Sequence, residues 1–381
     1  MPYNQDGSRR EVVTIEVLGR RALNRSLLER QLLLRRHEMS AFDAVEHLVG
    51  LQAQAPDPPY VGLWTRRARF RPEELSRMIL DRRAVRVALM RNTVHLVTAE
   101  DGLKLRPLVQ PTIGRNLYSG NAERAAVKEI DAGELVAAGR ALLEERPLTA
   151  RELGGLLRER WPDQDPAALA RAIRNLVPLV QVPPRGVWGE HGPAAHTTIE
   201  AWLGRRLDSD PSSDEMVMRY LGAFGPASVK DAQTWSGLTR LRGVFERLRP
   251  RLRTFRDHGG TELFDLPEAP RPDPDTPSPV RFVAAFDNLI LSHADRSRVI
   301  ATEHRKAIAS KNGMVPATFL VDGFVHGTWK VVRDRGEATL WIEPFEHLPG
   351  RYRDALAEEG ERLLRFVTDS AGTFGVRFIE P

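Results

Sequence analysis

The apolar residues Phe42, Val45, Leu48, Val49 and Leu51 fall on or near one helical stripe. Pro56, Pro58 and Pro59 forbid its continuation. Gln52 and Gln54 therefore stand where helix gives way to extended chain. Residues two apart in an extended segment point the same way, so the pattern predicts two amides on one face. A neutral amide can orient a water or a sugar but cannot act as a general base. The plain alternative is a solvated loop carrying two polar side chains.

Three stretches open alike, with a Ser or Thr three residues ahead of an acid and then a helical pattern: Ser40 to Asp43, Thr149 to Glu152 and Ser228 to Asp231. Each runs on into a short strand-like end, at 84–98, 179–188 and 252–265. Pro183-Pro184-Arg185-Gly186 and His258-Gly259-Gly260 supply hairpin turns in the second and third. Capped helix, further helix and hairpin make the plan of a winged helix-turn-helix, against the alternative of three unrelated helix–hairpin pairs. Helical pattern also covers 71–80, 130–145 and 167–176, and 208–214 reads as a polar loop.

A proline-dense stretch over 267–279 marks a boundary. Beyond it, 280–286, 314–321, 324–332, 339–343 and 373–379 alternate as strands, and Tyr352 to Asp369 reads as helix. Asp322-Gly323 is a two-residue hairpin signal. The expected class is α+β, with three tandem winged helix-turn-helix units and a small C-terminal β-barrel-like element. Expected boundaries are a tail over 1–19, units over 20–125, 126–207 and 208–270, and a β-rich region over 271–381.

The chain has 56 basic and 51 acidic residues, a formal charge of +5, and only six lysines among the bases. Arginine suits bidentate phosphate contact, so the balance permits nucleic-acid binding without establishing it. There are no cysteines, which excludes disulfides, thiolate metal sites and a Cys nucleophile. No apolar run approaches the roughly 18 residues of a membrane span. The polar start lacks a signal-peptide core. A soluble, cytoplasmic, monomeric protein is expected, with no cofactor and no metal: the ten histidines are scattered, and no phosphate loop, dinucleotide fingerprint or nucleophile elbow is present.

A second polar cluster runs from Asp287 to Arg298. Arg296 and Arg298 would share a face if extended and could contact phosphates; a surface ion-pair cluster is the alternative. Arg305, Lys306 and Lys311 with Asn312-Gly313 could form a basic tip entering a groove, or a charged edge that prevents aggregation. His95, beside Arg91 and Thr93, has the sequence setting of a packed histidine.

Gly50-Leu-Gln-Ala-Gln-Ala-Pro56 followed by Pro59-Tyr-x-Gly-Leu-Trp64 resembles the winged-helix DNA glycosylases of the AlkZ and YcaQ type. Arg91-x-Thr-Val-His-Leu96, the 287–298 cluster and Val321-Asp-Gly-x-Val-x-Gly-x-Trp-Lys330 resemble further blocks of that family, in order along nearly the whole chain. The Gln-x-Gln form is similar to the AlkZ branch; the YcaQ branch has Gln-x-Asp. The resemblance implies a C-shaped channel and a protruding hairpin near the DNA. It implies Gln52 and Gln54 as the catalytic pair, and Arg91, His95, Arg296, Arg298 and Lys311 are assigned to DNA contact. It implies hydrolytic release of N7-alkylated guanine from double-stranded DNA, including unhooking of azinomycin-type interstrand crosslinks. A non-enzymatic winged-helix regulator and a protein that sequesters a free alkylator remain the alternatives.

Overall fold

The computed structural model describes residues 15–116, 130–308, 314–334, 336–368 and 373–380. Three stretches share one connectivity: a helix, a short strand, two helices, then a hairpin whose second strand pairs with the short strand. In the first, these are Ala41–His47, Leu51–Gln52, Pro58–Arg66, Pro72–Leu80, Ala84–Ala88 and Val94–Thr98. In the second they are Ala132–Glu145, Leu148–Thr149, Ala150–Arg160, Pro166–Leu176, Leu179–Gln181 and Ala195–Thr198. In the third they are Ser213–Phe224, a single bridge at Ala227, Val229–Ser236, Arg242–Leu248, Arg253–Asp257 and Glu262–Asp265.

The three caps form. Ser40 Oγ accepts from the Asp43 amide at 3.0 Å. Thr149 and Ser228 make reciprocal boxes with Glu152 and Asp231. Each cap satisfies amides that the first helical turn leaves open, for about 1 kcal/mol. Their equivalence is shifted, however. Ser40 caps the first helix of its stretch, whereas Thr149 and Ser228 cap the second. The second hairpin is also longer than its turn chemistry predicts, because the return strand begins at Ala195 rather than beside Gly186.

The first two hairpins join edge to edge. Arg86 pairs with Gln181 and Val87 with Val180, giving a six-stranded antiparallel sheet with Leu51–Gln52 at one edge. A further sheet of five strands follows the proline-rich stretch, in the order Arg281–Val283, Thr318–Val321, Phe324–Asp334, Glu337–Pro344 and Phe374–Phe378. The expected barrel is corrected here: the last strand adds parallel to its neighbour and the two edge strands do not pair, so the sheet is open. The helix Gly350–Val367 packs on it through Leu356, Leu363 and Leu364. Asp322 and Gly323 have positive φ, as a two-residue hairpin requires, and Asn24 donates to the Gly323 carbonyl at 2.8 Å. No helix among the described residues is long and apolar enough to cross a membrane.

The C-terminal sheet is not an appendage. Phe282, Phe319, Leu340 and Ile342 share one apolar cluster with Leu51, Tyr60, Leu63 and Trp64. A buried ion pair crosses the same junction: both terminal nitrogens of Arg66 reach the Asp287 carboxylate at 2.8 Å, with the side chains 0% and 2% exposed. Removing one member of such a pair leaves the other charge buried and uncompensated. Asp287→Ala should therefore cost about 3–5 kcal/mol in urea unfolding. A change below about 1 kcal/mol, the value of an exposed pair, would contradict the structural role.

Candidate active site

Two backbone features turn the chain into the Gln52 strand. Val49 and Gly50 both have positive φ, at 52° and 89°. A Cβ on Gly50 would lie 2.4 Å from Val97 Cγ1 and 2.9 Å from the Leu96 carbonyl, so only glycine lets this strand approach its neighbour. Leu51 and Gln52 then pair with Leu96 and His95, and the Ala53 amide donates to the Val94 carbonyl at 2.7 Å. The segment bends at Gln54. Pro58 and Pro59 open the next helix, where a missing amide proton costs nothing.

Gln52 is 6% exposed, but its surroundings are polar. Its Oε1 accepts from Arg91 Nη2 at 2.7 Å. The same Nη2 donates to Asn288 Oδ1 at 3.0 Å, and Nη1 donates to the Trp235 carbonyl at 2.7 Å. Arg91 sits in a turn, with φ 57° and ψ 20°, and Asn92 also has φ 57°. Non-glycine residues held there cost about 1–3 kcal/mol each, and such strain clusters at functional sites. No carboxylate pairs with Arg91 among the described residues. Burial, and then the Arg296 guanidinium, lower its pKa to about 10, which still leaves it charged near neutrality.

Because guanidinium only donates, Gln52 must present its carbonyl oxygen to Arg91, which fixes the amide's orientation. Gln54 is fixed in the same sense: its Oε1 accepts from the Val94 amide at 3.1 Å. Each oxygen keeps a second lone pair, and neither amide nitrogen makes a hydrogen bond among the described residues. Gln54 is exposed and stands at the lip of a cavity of about 210 Å³. The two amides are therefore held by different anchors, one buried and one open, rather than as an equivalent pair.

The assigned DNA contacts divide. Arg91 and Arg296 are brought together, and Arg296 makes no ion pair among the described residues. His95 is corrected: it is fully buried, its Nδ1 meets the Thr93 carbonyl at 3.0 Å, and it cannot reach a duplex. Arg298 is corrected likewise. It is 4% exposed and donates to the Pro226 carbonyl at 2.7 Å, tying elements together from inside. Neither Arg296 nor Arg298 lies in a strand, because Asp287 caps the short helix Asn288–Leu291 and irregular chain follows. Lys311 and the Asn312-Gly313 turn lie outside the described residues. Asn288 is the residue that sequence reasoning passed over, although it lies inside a block quoted for its resemblance. Arg171 and Arg174, at helical i, i+3 spacing on one face, were equally legible.

Burial and then the Arg91 charge lower the His95 pKa to about 3, while burial and then Arg174 lower that of His196 to about 4. Both therefore fold as neutral imidazoles. The unfolded chain takes up their protons near 6.5, so their contribution is complete above that pH and is lost as pH falls toward 3–4. Histidine NMR should show neither ring titrating between about pH 8 and pH 5, where an ordinary histidine titrates. A midpoint near 6.5 for His95 would contradict the enclosed network.

The sequence profile of the family described as DNA glycosylase AlkZ-like matches residues 45–366. An interstrand DNA cross-link repair glycosylase of Streptomyces sahachiroi is 27% identical over 347 residues, covering 84% of this chain and 90% of that protein. The solved structure of the Streptomyces sahachiroi DNA glycosylase AlkZ superposes with a TM-score of 0.76 at 23% identity, covering 95% of this chain and 100% of that one, which shows a shared fold. With the family profile spanning most of its length, this chain belongs to the AlkZ-like DNA glycosylase family.

Proposed function

We propose that this glycosylase hydrolyses the N-glycosidic bond of N7-alkylated guanine in double-stranded DNA and unhooks interstrand crosslinks made through that atom. The three repeated stretches, over 20–125, 126–207 and 208–270, act as tandem winged helix-turn-helix units lining a C-shaped channel, with 271–381 completing it. The protein acts as a monomer, without cofactor or metal. The observation that carries this reading is the fixed orientation of Gln52 by Arg91 in a network that includes no carboxylate.

Alkylation at N7 makes the purine cationic. It can leave C1′ with the bonding electron pair as a neutral base, without prior protonation. Water adds to C1′ and releases its proton to solvent. The protein must hold the lesion, place the water and tolerate an oxocarbenium-like sugar. The second lone pairs of Gln52 and Gln54 suit the water and the developing positive charge. An unpaired Arg91 alone would repel that charge, and a DNA phosphate drawn to Arg91 and Arg296 removes the penalty. Without a strong base, neutral lesions should turn over poorly.

A crosslinked base is tethered to both strands and cannot rotate into a closed pocket. The exposed position of Gln54 fits an open site in which the duplex stays largely in place.

Gln52→Ala with Gln54→Ala should slow single-turnover release of N7-methylguanine by about 100-fold or more while DNA affinity changes little. Release at the wild-type rate would refute their role. The wild-type protein should release N7-methylguanine well ahead of 1,N6-ethenoadenine, and equal rates would contradict the absence of an acid–base step.

A further inference from the structure

The cavity beside Gln54 has a charge pattern that the glutamine chemistry does not use. Its floor lies where the first two hairpins join, and the helix Pro166–Leu176 forms a wall. Its volume of about 210 Å³ matches the liquid volume of about seven waters. Arg86, Arg171 and Arg174 line it, with His196, and no aspartate or glutamate among the described residues does.

Arg86 is 1% exposed and forms no ion pair among the described residues. Its Nη2 donates to the Ala53 carbonyl at 2.8 Å and its Nε to Gln181 Oε1 at 3.3 Å, which leaves Nη1 without a hydrogen bond among the described residues. Burial, and then the Arg185 guanidinium, lower its pKa to about 10, still charged near neutrality. Arg174 makes neither an ion pair nor a hydrogen bond among the described residues. His196 is neutral, and its buried Nδ1 makes no well-formed hydrogen bond among the described residues. A buried cation left without a carboxylate among the described residues, as Arg86 is, is costly unless an anion completes it, and Arg174 stands exposed beside it with its donors open.

The Ala53 carbonyl held by Arg86 belongs to the short link between Gln52 and Gln54. An anion in this cavity would therefore be fixed relative to both amides. We propose that the cavity takes one backbone phosphodiester beside the damaged nucleotide, with Arg174 as a positioning residue that sets the adjoining deoxyribose against Gln54. This rests on the glycosylase reading of the two glutamines. A phosphodiester is a monoanion whose two free oxygens match bidentate guanidinium donation.

The test is a series of N7-methylguanine duplexes carrying a single uncharged methylphosphonate at each linkage near the lesion. Binding and single-turnover base release are read for the wild type, Arg174→Ala and Arg174→Lys. One neutral linkage should weaken wild-type binding by about tenfold or more. Arg174→Ala should lose a similar factor on all-phosphate DNA, and the same linkage should then add little, because the two changes remove one contact. The slope of log affinity against log salt should fall by about 1 for Arg174→Ala and be retained by Arg174→Lys. The Tm of Arg174→Ala should be unchanged or raised, since no partner is left behind. Additive losses at every linkage, or an unchanged salt slope, would overturn the phosphate site. The glycosylase reading would survive that result if wild-type base release remained. Conversely, a non-additive linkage with no released base would sink the glycosylase reading and keep the phosphate site.

Discussion

The site depends on a half-buried arginine that meets no acid among the described residues. Two deep guanidinium groups elsewhere in this protein are matched by carboxylates, Arg66 by Asp287 and Arg30 by Asp265 at 2.6 Å, whereas Arg86 and Arg106 meet no carboxylate among the described residues. Arg91 has instead three neutral oxygens, from Gln52, Asn288 and the Trp235 main chain. Such acceptors satisfy its hydrogen bonds without cancelling its charge. One side chain thus fixes an amide and leaves a positive field where a polyanion must dock. A carboxylate there would have neutralised the field and supplied a base that an already cationic leaving group does not need.

This arrangement needs residues far apart in sequence, and two couplings hold them. The shared apolar cluster and the Arg66–Asp287 pair pin the start of the C-terminal region against the Pro58–Arg66 helix. Asp287 also accepts from the Leu289 amide at 2.9 Å, so the residue that neutralises Arg66 also caps the helix that presents Asn288. The end of the Val229–Ser236 helix closes on Arg91 from the other side. A Cβ on Gly237 would sit 3.1 Å from the Arg91 amide nitrogen, so that approach tolerates little bulk. The three repeated stretches also differ at one telling place. In the second, the strand Leu148–Thr149 runs directly into the helix beginning at Ala150. In the first, Ala53 to Asp57 intervene between strand and helix, and that added link carries Gln54.

Local chemistry was legible in the sequence and long-range pairing was not. Ser40, Thr149 and Ser228 announced their helices because a cap acts within four residues. Asp322-Gly323 announced its hairpin for the same reason. The position of Gln52 at a helix-to-strand change was legible from the apolar stripe and the prolines. The joining of two hairpins through Arg86 and Gln181 was not, because each strand is short and carries no signal for its distant neighbour. The parallel addition of Phe374–Phe378, which keeps the last sheet open, was hidden likewise. Within the site, the partner of Gln52 could not be read because a cation that donates to a neutral amide leaves no pattern of opposite charges in the sequence. Arg298 misled for the opposite reason: a charged residue in a polar cluster reads as surface, yet it is buried with its donors turned inward.

The most direct test of the central claim is single-turnover unhooking of a duplex carrying one defined N7-guanine crosslink, comparing the wild-type protein with Arg91→Met. After alkali, denaturing electrophoresis should show separated, cleaved strands for the wild type. For Arg91→Met, which frees Gln52 and removes the field, the crosslink should persist. An intact crosslink with the wild type, or equal unhooking by Arg91→Met, would contradict the account.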